Sequence, residues 1–334
     1  MGILDKVIAN SVFVVPRPIV RRISSRYMAG ASLEEALPVI RDLNEQGCAA
    51  TVDVLGESTT SKEDVAETLR EYKLVLDALD QHDLDSGISV KLTAFGLNLD
   101  EDLCRANLEE IMSYAAERGR FVRVDMEDSP YTGITIDTVL DFHRRHGNTG
   151  AVIQAYMRRS LEDVERLAEA GVSVRLCKGI YVEPRKIAYK NFDVVRENYV
   201  YLLEKLMAAG CYVGVATHDE YLVWHALRLA HELGLGRDRY EFQMLLGVDE
   251  PLRRILVDAG HKVRVYVPYG KDWYAYSTRR LQENPRIATY VARDVIEGVV
   301  KTIKWRSARE SGDQESGVEK DIRVGCDGDR PNTA

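Results

Sequence analysis

The chain has 334 residues, of which 45% are hydrophobic and 29% are charged, a composition typical of a globular protein that can bury a large core. Its formal net charge of −8 at pH 7 argues against nucleic acid as a partner, and its five cysteines are too scattered to predict a disulfide framework or a zinc site. The N-terminus lacks the pattern of a signal peptide and no run approaches about 18 apolar residues, so we expect a cytoplasmic protein without a membrane-spanning segment.

Residues 1–48 are predicted to form an N-terminal helical segment. Ser32 is a candidate N-cap followed by acidic residues, and Leu37, Ile40 and Leu43 continue an apolar stripe at helical spacing. We therefore expect a helix that leads into a domain beginning at residue 49.

From residue 49 onward, short runs rich in β-branched residues alternate with long amphipathic stretches. The stretches Ser61 to Gln81 and Asn191 to Ala209 have the length and periodicity of helices. The runs predicted to be strands are Ala50 to Val54, Ile88 to Leu92, Phe121 to Asp125, Ala151 to Gln154, Val172 to Leu176, Tyr212 to Ala216, Tyr240 to Gln243 and Val263 to Val267.

Eight β/α units in about 220 residues match the size and rhythm of a (β/α)8 TIM-like barrel, whereas a doubly wound sheet usually has about five to seven strands. We assign the barrel, an α/β fold, to residues 49–305, with extra C-terminal helices that include one from Pro285 to about Trp305. Residues 306–334 are rich in Gly, Ser, Asp and Glu with little to bury, and we expect a disordered tail there.

Polar residues close many of the predicted strands, although a packed barrel interior prefers Val, Ile and Leu. The C-terminal ends of barrel strands face the active site, so these side chains would meet at one mouth. Each residue alone could belong to an ordinary rim, and His218 could be a helix-start cap, but their joint occurrence favours a functional site. The candidates are Lys91, Asp125, Gln154, Arg175, Glu241, Gln243 and Tyr266, with Lys178, Tyr181, Thr217 and His218 on the loops just beyond.

The sequence has neither a G-x-G-x-x-G nor a G-x-x-x-x-G-K-[ST] motif, so it predicts no Rossmann or P-loop site. A phosphate-bearing cofactor could still bind where Arg175 and Lys178 put two cations near Gly179, and where Thr217 and His218 open the next helix. No His, Asp or Glu cluster has the spacing of metal ligands. A lysine at the mouth could instead form a Schiff base, as in barrel aldolases.

A short predicted helix near the C-terminus carries Tyr276, Arg279, Arg280 and Glu283 at i, i+3, i+4 and i+7, so that one face is polar. Paired arginines suit a bidentate grip on a carboxylate, and the glutamate could hold one of them in place. The alternative is a solvated helix face with an ordinary ion pair. The position of this helix after the last strand favours the binding interpretation.

Several motifs together resemble the proline dehydrogenase family. They are Val90 to Leu92, Gln154 to Tyr156, Val174 to Tyr181, Ala216 to His218, Phe242 to Leu245, Val265 to Pro268, and Tyr276 to Asn284. The resemblance implies a distorted β/α barrel that uses FAD to oxidise L-proline to Δ1-pyrroline-5-carboxylate, the first step of proline degradation to glutamate. The short gap between Tyr266 and Arg279 resembles the monofunctional bacterial branch, and we expect no aldehyde dehydrogenase half in a chain of this length.

The resemblance also implies roles for individual residues. Asp125, Arg175 and Lys91 would be catalytic, with Arg175 stabilising negative charge on the reduced flavin ring. The implied proline contacts are Lys91, Tyr181, Leu245, Tyr266, Arg279, Arg280 and Glu283, and the two arginines would hold the carboxylate. The implied FAD contacts are Met126, Gln154, Arg175, Lys178, Gly179, Ile180, Thr217 and His218. Family members commonly have Val and Ala where this chain has Cys177 and Ile180.

The implied partners are L-proline, a membrane quinone that accepts the electrons, and a separate pyrroline-5-carboxylate dehydrogenase that acts next. Contact with the cytoplasmic face of the inner membrane would then be peripheral. Two alternatives remain open on the residues alone: a Schiff-base aldolase on the same barrel, and a non-catalytic amino-acid sensor that uses the arginine pair only for binding.

Overall fold

The computed structural model describes residues 26–56, 59–271 and 273–274. Eight parallel strands form a closed barrel in which each strand pairs with the next along the chain and the last pairs with the first. The strands are β1 (Ala49–Val54), β2 (Ser86–Val90), β3 (Val122–Val124), β4 (Thr149–Gln154), β5 (Ser173–Cys177), β6 (Val213–Ala216), β7 (Tyr240–Leu245) and β8 (Val263–Tyr269). The predicted TIM-like barrel is confirmed, and each strand lies within two residues of its predicted bounds.

Within the described ranges the helices are α1 (Leu33–Glu45), α2 (Lys62–Gln81), α3 (Glu101–Ala116), α4 (Thr132–His146), α5 (Ser160–Glu169), α6 (Phe192–Ala208), α7 (Glu220–Glu232) and α8 (Glu250–Asp258). Helices α2 and α6 confirm the two predicted stretches, and side-chain caps fix where each begins. The Ser61 hydroxyl accepts a hydrogen bond from the backbone N–H of Asp64, and the Asn191 side chain accepts from those of Asp193 and Val194.

The N-terminal segment is only partly helical. Helix α1 begins directly after Ser32, as predicted, and buries Ile40 and Leu43. Residues 26–31 are not helical, because Gly30 has a φ of +130°, outside the helical region. Residues 1–25 and the predicted C-terminal helices and tail lie outside the described residues, so the proposed domain bounds stay predictions.

The apolar core lies between the outside of the barrel and the surrounding helices. Val52, Ile88 and Val265 face outward from their strands and pack with residues such as Leu76 and Leu203 of the helices, all with no more than 1% exposure. Burying one such side chain stabilises the fold by about 1.5–3 kcal/mol.

Alternate strand residues point into the barrel, and many of them are polar. Asp53, Ser89, Arg175 and Gln243 are all buried there, on β1, β2, β5 and β7. A barrel interior usually holds branched apolar side chains, so this barrel departs from the usual packing along its axis. The hydrogen bonds of the interior side chains therefore decide where chemistry can occur.

Candidate active site

Five charged or phenolic side chains meet toward the C-terminal ends of the barrel strands. We name them the upper cluster: Asp53, Lys91, Asp125, Arg175 and Tyr266. Lys91 directly follows β2, and its Nζ lies 2.7 Å from Asp53 Oδ1 and 3.7 Å from Asp125 Oδ2. The ammonium also donates to the Tyr266 hydroxyl at 3.4 Å. All but Tyr266 are buried, so the upper cluster is a desolvated group in which charges interact strongly.

Arg175 is fixed from three sides. Its Nη1 donates to Asp125 Oδ1 at 2.6 Å, its Nε to Gln243 Oε1 at 2.6 Å, and its Nη2 to Ser89 Oγ at 3.1 Å. The Tyr266 ring lies 5.2 Å from the guanidinium carbon, and the Tyr266 hydroxyl donates to Asp125 Oδ2 at 2.9 Å. Asp125 thus joins two cations and a phenol that come from three different β/α units of the barrel.

The loop after β5 continues the site. Gly179 has a φ of +104°, and a Cβ there would lie 2.1 Å from the Tyr156 ring, so only glycine allows this path. The loop is anchored by the buried Glu183, whose carboxylate accepts from the backbone N–H of Ser129 at 2.6 Å and from its hydroxyl at 2.8 Å. Tyr181, a predicted proline contact, lies on this loop two residues before Glu183.

Lys178 lies at the same end and forms an ion pair with Asp219 Oδ2 at 2.9 Å. Arg196 donates to both oxygens of the same carboxylate, from Nε at 2.8 Å and from Nη2 at 2.5 Å. Partial burial acts to raise the pKa of Asp219, but the hydrogen bonds from Arg196 and Lys178 lower it overall. The trio has a net charge of +1, which suits an anionic ligand.

The start of α7 differs from the prediction. Asp219, not Thr217 or His218, is its N-cap, and the Asp219 side chain accepts from the backbone N–H of Tyr221. Thr217 Oγ1 instead accepts from the backbone N–H of Asp219, and His218 Nε2 accepts from the backbone N–H of Leu245 at 3.1 Å. The helix begins later because an aspartate is the stronger cap.

The other predicted flavin contacts occupy the same end. Met126 is buried just after β3, and Gln154 is the last residue of β4. The Gln154 amide donates to the carbonyl oxygen of Glu127 at 3.0 Å, which fixes its orientation. Ile180 is 37% exposed on the loop after β5.

Glu241 was predicted at the mouth and lies elsewhere. It is the second residue of β7 and accepts hydrogen bonds from Arg264 Nε at 2.8 Å and from the Tyr212 hydroxyl at 2.9 Å. These residues, with Lys262 and Arg123, form the lower cluster at the N-terminal side of the barrel. The prediction was wrong because β7 begins at Tyr240, so Glu241 starts the strand instead of ending it.

The lower cluster is held tightly. Burial would raise the pKa of Glu241, but Arg264, Lys262 and Gln243 outweigh it and lower the pKa to about 2. Burial lowers the pKa of Arg123 to about 9, with the nearby cation of Arg175 adding to the effect. Arg123 donates to the carbonyl oxygens of Ala151 and Ser173 at 2.9 and 2.7 Å.

Sequence reasoning missed Asp53, Ser89 and Arg196, which hold predicted site residues in place. Asp53 could have been found, because it is the next-to-last residue of its predicted strand, Ala50 to Val54, as Arg175 is of Val172 to Leu176. Among the described residues, no group of three His, Cys, Asp or Glu side chains could hold a metal ion. Arg279, Arg280 and Glu283 lie outside the described residues, and their roles stay predictions.

Comparison with known proteins places this geometry in context. A family model described as Proline dehydrogenase matches residues 36–293. Proline dehydrogenase 2 of Bacillus subtilis is 36% identical over 262 residues, covering 78% of this chain and 86% of that protein. Proline dehydrogenase of Deinococcus radiodurans is 36% identical over 283 residues, covering 83% of this chain and 91% of that protein.

Solved structures are similar as well. A crystal structure of proline utilization A from Bdellovibrio bacteriovorus, inactivated by N-propargylglycine, matches with a TM-score of 0.73 and 26% identity. The match covers 79% of this chain and 33% of that chain, so this chain spans about a third of the larger protein.

Proposed function

The chain belongs to the proline dehydrogenase family of oxidoreductases, and on that premise we propose that it oxidises L-proline to Δ1-pyrroline-5-carboxylate by hydride transfer to FAD. The observation that carries the proposal is the bridging carboxylate of Asp125, which joins Lys91, Arg175 and Tyr266 at the end of the barrel where TIM-barrel enzymes react their substrates.

The side chains present fit a flavin. The isoalloxazine ring has a polar edge of carbonyl oxygens and nitrogens, and the guanidinium of Arg175 in β5 and the amide of Gln154 at the end of β4 would meet it. The net positive trio of Lys178, Arg196 and Asp219 suits a pyrophosphate. When bound, the flavin supplies the hydride acceptor and the redox chemistry.

The protein's own part is to position and to hold charge. Asp125 keeps Arg175 and the Tyr266 hydroxyl in fixed places, and Arg175 is then aimed by partners on β2 and β7 as well. A cation held in this way stabilises negative charge that develops nearby without having to reorganise. The substrate amine has to lose its proton before a hydride can leave the adjacent carbon.

Proline would be held at both ends. We assign its carboxylate to Arg279 and Arg280, oriented by Glu283, and its ring to a wall made by Tyr181, Leu245 and Tyr266. Leu245 of β7 and Tyr266 of β8 are paired in the register of these adjacent strands, which supports placing them on one wall. Fixing both ends brings the reacting carbon to one geometry and removes an entropic part of the barrier.

The geometry disfavours the aldolase alternative. A Schiff base needs a neutral amine, and the Lys91 ammonium has carboxylates at 2.7 and 3.7 Å, which favour its charged form. Lys178 is paired with Asp219 in the same way. The sensor alternative has no specific observation in its favour.

We further propose that the electrons pass to a membrane quinone, that the protein is cytoplasmic with peripheral membrane contact, and that a separate pyrroline-5-carboxylate dehydrogenase consumes the product. In the part of the chain that the structure describes, no helix has the length and apolar character to cross a bilayer. The family's reaction supports this sequence of partners, since a reduced flavin needs an electron acceptor before the next turnover.

The purified full-length protein tests the proposal through its visible absorption spectrum, recorded without oxygen before and after addition of L-proline. We expect flavin bands that bleach on addition, and release of free FAD on denaturation. A colourless protein would support the aldolase, and flavin bands unchanged by proline would support the sensor. FMN or a covalent flavin would overturn the cofactor assignment alone.

A further inference from the structure

A chain of hydrogen bonds connects the lower cluster to the upper one through Gln243. The Gln243 amide donates from Nε2 to Glu241 Oε1 at 2.7 Å and accepts at Oε1 from Arg175 Nε at 2.6 Å. All three side chains are buried. Since Glu241 and Gln243 are two residues apart on β7, their Cα atoms lie about 7 Å apart along the strand, and the Gln243 side chain links the two clusters.

The orientation of this amide is determined by its two neighbours. An arginine can only donate hydrogen bonds, and an ionised carboxylate can only accept them. Glu241 is held as a carboxylate by Arg264 at 2.8 Å, so it must face the NH2 group of Gln243. The amide oxygen is then left to face Arg175, and the opposite orientation would lose both hydrogen bonds.

Gly214 makes room for this arrangement. A Cβ at Gly214 would lie 2.4 Å from Gln243 Nε2 and 2.8 Å from its Cδ, closer than real Cβ atoms approach. The amide could not simply move aside, because it is held at both ends. A glycine on β6 is therefore a spatial requirement for the bond between Gln243 and Arg175.

We propose that Gln243, oriented by Glu241 and given room by Gly214, is a positioning residue for Arg175. It fixes the Nε edge of the guanidinium, while Asp125 and Ser89 fix the two terminal nitrogens. The inference rests on the proposed function, in which Arg175 stabilises negative charge on the reduced flavin. Without the amide, the guanidinium can turn about its remaining hydrogen bonds and its field at the flavin weakens.

The test compares Gln243→Leu, which keeps the approximate volume but removes both hydrogen bonds, with Gly214→Ala, which displaces the amide without changing it. For each variant of the full flavin-loaded protein we would measure the flavin midpoint potential, kcat and KM for proline. We expect about a tenfold loss of kcat, a KM within about threefold of wild type, and a lower potential. A tenfold change in the equilibrium of a two-electron couple corresponds to about 30 mV.

Asn148→Leu is the matched control, because Asn148 is a partly buried amide that donates to the carbonyl oxygens of Met112 and Arg120 and has no part in the site. It should lose stability and keep the wild-type potential. A wild-type potential in both Gln243→Leu and Gly214→Ala would overturn the inference. If only one variant keeps its flavin, its potential alone decides the question.

Failure of the proposed function looks different. A wild-type protein that holds no flavin, or whose flavin proline does not reduce, would reject the function before any variant is compared. A wild-type enzyme that works, with variants whose potential and kcat are unchanged, would reject only the role of Gln243.

Discussion

The upper and lower clusters place similar side chains inside one barrel, and we propose that the upper one serves catalysis and the lower one stability. Each has a buried carboxylate, an arginine within 3 Å of it and a tyrosine hydroxyl that donates to it at 2.9 Å. In the lower cluster, Glu241 interacts with Gln243 of its own strand, with Arg264 of β8 and with Tyr212 just before β6. In the upper cluster, Asp125, just after β3, is joined to Lys91, just after β2, and to residues of β5 and β8 across the barrel.

On that proposal, burial and ion pairing alone do not mark an active site. The lower cluster lies at the N-terminal side of the barrel, the side that serves stability in TIM-barrel proteins. The upper cluster lies where the βα loops begin and where Gly179, Lys178 and Tyr181 follow a strand. The position of a residue along its strand, together with its side-chain chemistry, is therefore what distinguishes the proposed catalytic cluster from the proposed stabilising one.

The largest effect should come from removing the lower carboxylate. Glu241→Ala leaves Arg264 and its neighbours buried without a counter-charge, and we expect a loss of about 3–5 kcal/mol in the free energy of unfolding. Chemical denaturation measures it. Glu232→Ala, which breaks the exposed pair with Arg228, is the control and should cost less than about 1 kcal/mol. Equal losses would show that the lower cluster contributes no special stability.

The same carboxylate predicts an acid dependence. The pKa of Glu241 is lowered from 4.5 to about 2 on folding, so its ionisation stabilises the fold above pH 4.5 and this contribution disappears as the pH falls toward 2. The contribution at neutral pH is about 3 kcal/mol. We expect Glu241→Gln to lose less stability than wild type between these pH values. Parallel stability curves would contradict the assignment.

Asp125→Asn should affect activity more than folding. The amide keeps the size of the side chain but removes the charge that orders Arg175 and Lys91, so we expect kcat/KM for proline to fall by about 100- to 1,000-fold. Steady-state kinetics on flavin-loaded protein measures the fall. A loss that matched the change in folded fraction would mean that Asp125 is structural, like Glu241.

The predicted carboxylate grip should give a smaller effect. Arg279→Met and Arg280→Met each remove a charge-assisted hydrogen bond, and we expect kcat/KM for proline to fall by about one to two decades with normal flavin content. Discrimination against pyrrolidine, which lacks the carboxylate, should weaken as well. Wild-type kinetics in both variants would mean that the two arginines lie on a solvated face and do not bind the substrate.

The smallest effect should come from the edge of the lower cluster. Lys262 lies 3.7 Å from Glu241, and its side chain is 47% exposed. Solvent screens such a pair, so Lys262→Met should change the unfolding free energy by less than about 1 kcal/mol. A larger loss would extend the buried network outward to this residue.

The barrel could be predicted from the sequence because strand and helix periods repeat eight times. The position of each residue along the barrel axis could not be predicted. Alternation shows that both Glu241 and Gln243 point inward, but only the start of β7 shows that Glu241 lies at the end of the barrel away from the mouth. The ion pair between Lys91 and Asp53 could not be predicted either, because the two residues are 38 positions apart in the sequence and only the barrel register brings them together.

The most direct test of the division between the clusters is the same substitution at both ends of the barrel. Tyr266→Phe and Tyr212→Phe each remove one hydroxyl that donates to a buried carboxylate at 2.9 Å. The rate of anaerobic flavin reduction by proline should fall by about one to two decades in Tyr266→Phe and stay within about twofold of wild type in Tyr212→Phe. Equal rates in the two variants would contradict the assignment of catalysis to the upper cluster.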